Sequence, residues 1–484
     1  MKKILFYSLL LLLSASTVIW AEPADGQQCF AIVAGKLATA DGSVLFGHNE
    51  DNSFKNVAGM RKVERMDHQD GEWVTLPGGG RIPQVKTTWG FWWMQLPEQK
   101  FSDCFFNEHG VALVTDNCPS REDKPEISDG GIGGPILRQI VAERARNARE
   151  GVLLVGSLIE KFGYIASGRT LIICDPREGW LVAMVNGKHW VAERVPDDRV
   201  AVIANTYTIR EVNLKDTRNF LGSPDLIEYA VKRGWYDPAK GPFSFEEVYA
   251  DPQTRVAAGN THRQWSATRR LAAGKVPMPE EARLPFAVKP KALLTVRDIT
   301  EALRDHYENT PYETAASYQE RPAHKRHTAT ICNPGTNHSS VFQLRPAMPG
   351  GAGSIWWIAL HQPCSAPYIP IYLEEDMVPA GLAFGPASAA GDSTGKQIPS
   401  SAPAYQVFGK LAVWVDSDYA SRITTLRKQW NLQEETNYSV QKQFEGIVLK
   451  EMKTHPGFAK ELLGRYTQGI LARAVQQAEE VEKD

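Results

Sequence analysis

Cys29 is the residue best suited by type and position to do chemistry, because it opens an apolar run, Phe30 to Ala34, close to the N-terminus. If the chain is cut directly before it, a thiol and a new α-amino group belong to one residue. A thiol has a pKa near ~8.5 and an α-amine near ~7.7 to 8.0, so at neutral pH part of the amine can accept the thiol proton. Processing would thus supply a nucleophile and its base together. An ordinary small buried cysteine or a disulfide partner is the alternative for Cys29 alone.

Two other chemistries are disfavoured by their surroundings. Ser393 lies in a G-x-S-x-G match, but that motif needs a strand before it and a helix after it, and the stretch from Gly385 to Pro403, rich in Ala, Ser, Gly and Pro, predicts a loop. The eleven histidines include no H-E-x-x-H, and the six cysteines form no C-x-x-C pair. The sequence therefore predicts neither a serine elbow nor a metal site.

The N-terminus reads as an export signal followed by a short spacer. Two lysines precede the apolar stretch Ile4 to Trp20, and small residues lead to Ala21. We expect residues 1–21 to be a signal peptide cleaved after Ala21 and residues 22–28 to be a short propeptide. An uncleaved anchor is the alternative, since the apolar stretch reaches only the lower limit for a membrane span. The expected location is secreted or periplasmic, without stable membrane association after signal removal.

Composition excludes several classes of protein. The 484 residues are 43% hydrophobic and 23% charged, with a formal net charge of -2, which is typical of a globular chain. This balance offers no basic footprint, so we expect no nucleic-acid partner. An oxidising compartment would permit disulfides, but the six cysteines do not reveal a pairing. A homo-oligomer remains an open alternative.

The order of elements favours an α+β fold. Strand-like runs with an Asp41-Gly42 turn come first, two helix-periodic segments span 135–162, and strands, helices and strands follow again up to about residue 360. Runs of strands joined by hairpin turns and layered with helices favour antiparallel sheets. Residues 405–484 are helix-periodic without strand signals. We therefore divide the mature chain into an α+β domain at 29–404 and a C-terminal helical extension at 405–484.

The segment that begins at Cys29 resembles a known family. Cys29 to Lys36, the turn Asp41-Gly42-Ser43 and the segment His48 to Asp51 closely resemble the opening of the dipeptidases among the N-terminal-nucleophile cysteine hydrolases, which include the secernins. The resemblance implies a four-layer αββα sandwich, a cysteine dipeptidase that takes short peptides, and no metal or organic cofactor. Further matching segments extend it to about residue 375: Asn107 to Ala112, Trp265 to Arg270, Thr330 to Cys332, Ser340 to Arg345 and Pro367 to Pro370.

The dipeptidase family is related to the bile salt hydrolases and penicillin V acylases, and this similarity implies roles for two residues near Cys29. Asp51 matches the aspartate that contacts the α-amine of the nucleophile. His48 stands where those relatives have an arginine near the thiol, so any charge there would depend on pH. His48 is therefore a further candidate, while a structural reading of Asp51 is that it caps the hairpin.

The resemblance also implies an oxyanion site. Asn117 and Asn205 match positions whose side chains lie near the oxyanion, and Arg269 matches an arginine near the nucleophile that could hold a thiolate or a substrate carboxylate. Individually, the two asparagines could serve turn backbones and the arginine could be a solvated charge. Taken together with Cys29, they favour catalysis.

The function predicted from the sequence is an exported cysteine dipeptidase that cleaves peptide bonds through a thioester on Cys29. The alternative with the same thiol is an N-acyl amide hydrolase of the bile salt hydrolase or penicillin acylase type. An alternative of another class is a binding protein in which Cys29 remains internal. Determining the first residue of the mature chain distinguishes this binding protein from the two hydrolases.

Overall fold

The structure is a computed structural model that describes residues 29–51, 59–96, 101–313, 330–346, 353–383, 387–391, 397–399 and 402–481. The predicted signal peptide and propeptide, and Ser393, lie outside these residues. Among the described residues, no helix combines the length and apolarity that a bilayer crossing requires.

Strands and helices follow one another in blocks. The strands are β1 (Phe30–Ala34), β2 (Val44–Asp51), β3 (Gly59–Val63), β4 (Met66–Asp67), β5 (Trp73–Thr75), β6 (Arg81–Pro83), β7 (Thr87–Thr88), β8 (Phe91–Leu96), β9 (Phe101–Asn107), β10 (Ala112–Asn117), β11 (Tyr164–Cys174), β12 (Gly179–Gly187), β13 (Trp190–Arg194), β14 (Val200–Ala204), β15 (Phe220–Gly222), β16 (Ala287–Val288), β17 (Thr336–Leu344), β18 (Ser354–Leu360), β19 (Ile369–Tyr372), β20 (Ala387–Gly391) and β21 (Gln397–Pro399). The helices are α1 (Gly134–Arg144), α2 (Ala148–Phe162), α3 (Leu226–Lys232), α4 (Phe245–Tyr249), α5 (Pro252–Val256), α6 (Ala258–Leu271), α7 (Val296–Leu303), α8 (Pro403–Ser417), α9 (Tyr419–Thr454) and α10 (Pro456–Val481).

Two antiparallel sheets form the centre of the molecule. The first has the order β16-β14-β1-β2-β17-β18-β19 and the second the order β15-β13-β12-β11-β10-β9-β8-β3. Both faces of β1 are buried, and all eight residues of β2 are buried as well. Strands buried on both faces carry apolar residues at nearly every position, which matches the run that follows Cys29. The nucleophile candidate thus opens a central strand.

Helices cover the outer faces of both sheets. In β11, Leu171 and Ile173 pack in the same cluster as α1 and α2, while Ile172 and Cys174 belong to the cluster between the sheets. This alternation follows from the two-residue period of a strand. On the first sheet, Gly47 faces α7, and a Cβ there would lie 2.5 Å from Cγ2 of Ile299. The predicted α+β class and four-layer αββα arrangement are confirmed.

The C-terminal helices pack into the same core as the first sheet. Apolar residues of α8, α9 and α10 belong to the cluster that contains β1 and β18. The buried Trp430 donates its indole N–H to the carbonyl oxygen of Ser365 at 2.8 Å, and Arg304 forms a buried ion pair with Glu434 at 2.6 Å. The predicted helical extension is therefore present, and it starts with α8 at Pro403.

Part of the predicted loop at 385–403 is regular structure. The short strands β20 and β21 pair antiparallel there, and β20 ends at Gly391. The prediction of a loop is wrong for these two strands. Small residues such as those of β20 are poor strand formers by propensity, so the pairing is not visible in the local sequence.

Candidate active site

Strand register determines what surrounds Cys29. Phe30 pairs with Asn49 on β2 and with Ala204 on β14, so the preceding residue lies beside Glu50 and Asn205. Cys29 is 5% exposed, and its Sγ lies 3.6 Å from Oε2 of Glu50. The thiol is thus enclosed between two neighbouring strands of the central sheet.

His48 lies on the same side of β2 as Glu50, as the two-residue period requires. Its Nε2 lies 3.2 Å from Oδ1 of Asp116 on β10, and both side chains are fully buried. A nitrogen of His48, Sγ of Cys29 and a carboxylate oxygen of Glu50 lie within 4.8 Å of one another. This spacing could admit a soft divalent metal ion, but it equally suits a thiol beside an imidazole whose orientation a carboxylate determines.

Asp51 is held by donors from the loop before β17 and from β17 itself. Thr336 donates its hydroxyl to Oδ1 at 2.7 Å, and Asn333 donates its side-chain amide to Oδ2. Burial raises the pKa of Asp51 to about 7, although these two hydrogen bonds and the charges of Arg263 and His48 oppose the shift. A carboxylate in such surroundings favours a cation beside it, which the α-ammonium of a processed Cys29 would supply.

The raised pKa of Asp51 predicts a pH-dependent stability in the unprocessed chain. Between about pH 4 and about pH 7 the folded state keeps a proton that the unfolded state loses, so the free energy of unfolding falls as pH rises, by about 1.4 kcal/mol per unit. We expect Asp51→Asn to remove this slope. Denaturant titrations of both proteins across that range measure it, with intact mass confirming that residues 22–28 are retained. Equal slopes would contradict the assignment.

Arg263 of α6 is the arginine that contacts the nucleophile. It is fully buried and donates to the carbonyl oxygen of Cys29 at 3.1 Å, to Oδ1 of Asn205 at 2.8 Å and to Oδ1 of Asn260 at 3.0 Å. The guanidinium therefore joins α6 to the residue before β1 and to the residue after β14. Its multiple donors in a fixed fork suit this task better than an ammonium.

The prediction that placed Arg269 beside the nucleophile is corrected by the geometry of the helix. Arg269 donates to the carbonyl oxygen of Glu308 at 2.8 Å and lies over the ring of Trp265. Six residues along an α-helix turn the side chain by about 240° beyond one full rotation, so Arg263 and Arg269 cannot share a face. The arginine that reaches the carbonyl oxygen of Cys29 is Arg263, which lies three residues before Ser266 and outside the matched segment Trp265 to Arg270.

These two arginines predict different costs on substitution. Arg263→Lys should lower the free energy of unfolding by about 3 kcal/mol, because hydrogen bonds to a charged group contribute roughly 1.5–3 kcal/mol each and a lysine cannot retain all of them. Arg269→Lys, the matched control, should cost less than about 1 kcal/mol, since a lysine can still donate to the one backbone carbonyl oxygen that Arg269 contacts. Equilibrium unfolding in guanidinium chloride measures both. Similar losses in the two variants would refute the distinction.

Asn205 and Asn117 are in contact, but through different groups. Asn205 donates its side-chain N–H to the backbone carbonyl oxygen of Asn117 at 3.0 Å. The side-chain oxygen of Asn117 accepts from the hydroxyl of Ser167 at 3.4 Å. The structure thus brings the side chain of Asn205 to Cys29 and Arg263, and it brings Asn117 in by its main chain.

Several residues of the site were not predicted from the sequence. Glu50 was part of the matched segment, and the alternation along β2 could have placed it beside His48. The others come from distant segments: Asp116, Asn260, Arg263, Asn333 and Thr336. No local pattern marks them, because sheet pairing and helix packing bring them to the site.

Comparisons with known proteins fit this arrangement. The model of peptidase family C69 matches residues 28–431. A probable dipeptidase from Salmonella dublin is 27% identical over 71% of this chain and 80% of its own length, and one from Latilactobacillus sakei is 26% identical over 81% and 82%. A dipeptidase from Bifidobacterium longum (strain NCC 2705) is 28% identical over 73% and 72%.

Solved structures give weaker similarity. Penicillin V acylase from Agrobacterium tumefaciens aligns over 71% of this chain and 86% of its own, with a TM-score of 0.36 and 11% identity. A variant of the conjugated bile acid hydrolase from Clostridium perfringens aligns over 71% and 92%, with a TM-score of 0.33 and 12% identity.

Proposed function

Because the chain belongs to peptidase family C69, a family of cysteine-type hydrolases, we propose that it is an exported dipeptidase whose nucleophile is the thiol of an N-terminal Cys29. The observation that carries the proposal is the placement of Cys29 at the start of a central strand, where its thiol contacts Glu50 and Arg263 joins its carbonyl oxygen to Asn205. Names of the relatives support dipeptides as substrates.

The proposed reaction begins with removal of residues 1–28, which frees the α-amine of Cys29. This amine takes the thiol proton, and Sγ attacks the carbonyl carbon of the substrate's peptide bond. Asp51, whose backbone oxygen lies 4.0 Å from Sγ of Cys29, is the proposed partner of the ammonium that forms, through its buried carboxylate. The tetrahedral intermediate collapses to a thioester as the ammonium returns the proton to the leaving amine, and water then releases the acid.

Asn205 is the proposed donor to the oxyanion. Its side-chain oxygen accepts from Arg263 and one amide N–H donates to Asn117, which leaves its second amide hydrogen for a substrate oxygen beside Cys29. Preorganised donors of this kind stabilise developing charge because they need no reorganisation during the reaction.

His48 and Asp116 are proposed to position charge beside the thiol. The buried carboxylate of Asp116 orients the imidazole, which stands where an arginine is expected from the family resemblance. A protonated His48 would favour the thiolate of Cys29, and a neutral one would not. The activity of this chain should therefore depend on pH more steeply than that of a relative with a permanent charge.

The decisive test is the N-terminus of the active protein. The full chain is expressed with its leader, and the cells are fractionated to locate the protein. Intact mass and N-terminal sequencing then identify its first residue, which we expect to be Cys29 in the exported fraction. Dipeptides and N-acyl amides are then compared as substrates in the presence and absence of a chelator, with cleavage of dipeptides unaffected by chelation. A fully active enzyme that retains the Gln28–Cys29 peptide bond would refute the mechanism, and turnover of N-acyl amides alone would replace the substrate class.

A further inference from the structure

A second thiol–imidazole cluster lies away from Cys29. His306 follows α7, Cys332 precedes β17, and Cys364 lies between β18 and β19. A ring nitrogen of His306 and the two Sγ atoms lie within 4.8 Å of one another. The side chains of Cys332 and Cys364 are also close enough to interact by a hydrogen bond. Two sulfurs at this separation can join in a disulfide after a small shift.

The imidazole of this cluster is held in place by a carboxylate. Nδ1 of His306 lies 3.1 Å from Oε1 of Glu308, and the other carboxylate oxygen of Glu308 accepts from Arg270 at 2.6 Å. Burial opposes the charge of His306, but its contacts with Cys364 and Glu308 raise its pKa to about 10. An imidazolium beside a thiol favours the thiolate, which is the attacking form in disulfide exchange.

Only one of the two sulfurs faces a surface pocket. Cys364 and His306 line a pocket of 560 Å³ between α7 and α9, although Cys364 is only 3% exposed, whereas Cys332 does not line it and is fully buried. The arrangement distinguishes an attacking cysteine from a resolving one, as reactive pairs generally do.

The lining of this pocket suits an anionic reagent. Four cationic side chains line it: Arg270, Arg304, Arg427 and Lys428. The first three form ion pairs with Asp305, Glu308, Glu301 and Glu434, so Lys428 and the outer nitrogens of Arg427 are the cationic groups that an anion could meet. Within the described part of the chain, Nη1 of Arg427 is buried and has no hydrogen-bond partner. An unpartnered guanidinium nitrogen in a basic pocket is suited to bind a carboxylate.

We propose that Cys364 and Cys332 are a redox-active pair that exchanges with an anionic low-molecular-weight disulfide bound in this pocket. The thiolate of Cys364 attacks one sulfur of the reagent, which forms a mixed disulfide and releases one thiolate. Sγ of Cys332 then attacks Sγ of Cys364, which closes the internal disulfide and releases the second thiolate. The protein loses two electrons and two thiol protons, and the reagent gains them as two thiols.

The pair is connected to the site of Cys29 by a single residue step. Asn333, which donates to Asp51, directly follows Cys332. Closing the disulfide would therefore restrain the loop that holds Asp51. This effect on activity rests on the proposed function, whereas the exchange chemistry itself does not.

The test exposes the reduced full-length protein to oxidised glutathione and maps unreacted thiols by alkylation and peptide mass. We expect the thiols of Cys332 and Cys364 to be lost together as a disulfide between their two peptides, with any glutathione on Cys29 scored separately, while Cys118 and Cys174 remain alkylatable after denaturation. Cys332→Ser should trap one glutathione on Cys364, and Cys364→Ser should take up none at Cys332. Lys428→Glu, an exposed change, should slow exchange with oxidised glutathione severalfold but leave exchange with an uncharged disulfide unchanged.

Other outcomes would overturn the proposal. A zinc ion bound in equimolar amount, which protects both thiols until it is removed, would assign the cluster to a metal. Equal labelling of Cys332→Ser and Cys364→Ser would remove the distinction between the two sulfurs. Peptide hydrolysis is recorded separately in each state, so failure of the dipeptidase assignment would leave the thiol map intact.

Discussion

Cys29→Ser is expected to lower kcat/KM for a dipeptide by at least about 10³-fold, because removing the nucleophile of an acyl-transfer site leaves only binding and oxyanion stabilisation. The serine is close in size to the thiol it replaces at a position that is 5% exposed. The fold should therefore survive, and unfolding in denaturant should resemble that of the parent. Loss of activity in folded protein that starts at residue 29 can then be attributed to the sulfur.

The matched control is Cys364→Ser, which also replaces a buried cysteine but lies in the second cluster. Reduced Cys364→Ser protein should keep dipeptidase activity within a few-fold of the parent. N-terminal sequencing of Cys29→Ser adds information: retention of residues 22–28 would show that the thiol also performs the cleavage. Substantial dipeptide hydrolysis by correctly folded Cys29→Ser would show that another group is the nucleophile.

The features of the site that could be predicted from the sequence are those that depend on neighbouring residues in the chain. The apolar run after Cys29 marks a central strand, and the turn at Asp41-Gly42 makes it pair with the next, so His48 and Asp51 follow as neighbours of the thiol. The period of two along β2 also explains why Glu50 belongs to the site. Contacts within one hairpin depend only on nearby residues, so they can be predicted from the local sequence.

Contacts between distant segments could not be predicted in this way. Asn333 lies 282 residues from Asp51, and their contact exists because β17 pairs with β2. Pairing of that kind depends on the whole sheet rather than on local propensity. Arg263 illustrates a different difficulty, because it lies outside the matched segment Trp265 to Arg270 although both belong to α6. The phase of this helix relative to the sheet decides which arginine faces Cys29, and one segment of sequence leaves that phase open.

The C-terminal helices show the same division between periodicity and packing. Their helical period predicts the elements over 405–484, but the ion pair of Arg304 with Glu434 and the contact of Trp430 with Ser365 are made across segments far apart in the chain. A boundary at 404 therefore describes the change from strands to helices. The shared core shows that the two parts pack as one unit.

Asn205→Ala is expected to lower kcat by about 10² to 10³-fold with a smaller effect on KM, as removal of one oxyanion donor generally does. Arg263 has only donors, so the side-chain oxygen of Asn205 must face it, and the amide nitrogen must face the other way. That nitrogen uses one hydrogen on the carbonyl oxygen of Asn117. The remaining hydrogen is the one available to a charged oxygen formed beside Cys29.

The matched variant for this prediction is Asn117→Ala, because it keeps the backbone carbonyl that orients Asn205. Its kcat should stay within about tenfold of the parent if the side chain of Asn205 is the principal donor, and steady-state kinetics with one dipeptide measure both variants. Unfolding in denaturant checks that each protein is folded. A loss in Asn117→Ala as large as that in Asn205→Ala would mean that both side chains donate to the oxyanion. A small loss in both variants would assign the stabilisation of the oxyanion to other groups, and the first to test is the buried guanidinium of Arg263, which donates to the carbonyl oxygen of Cys29.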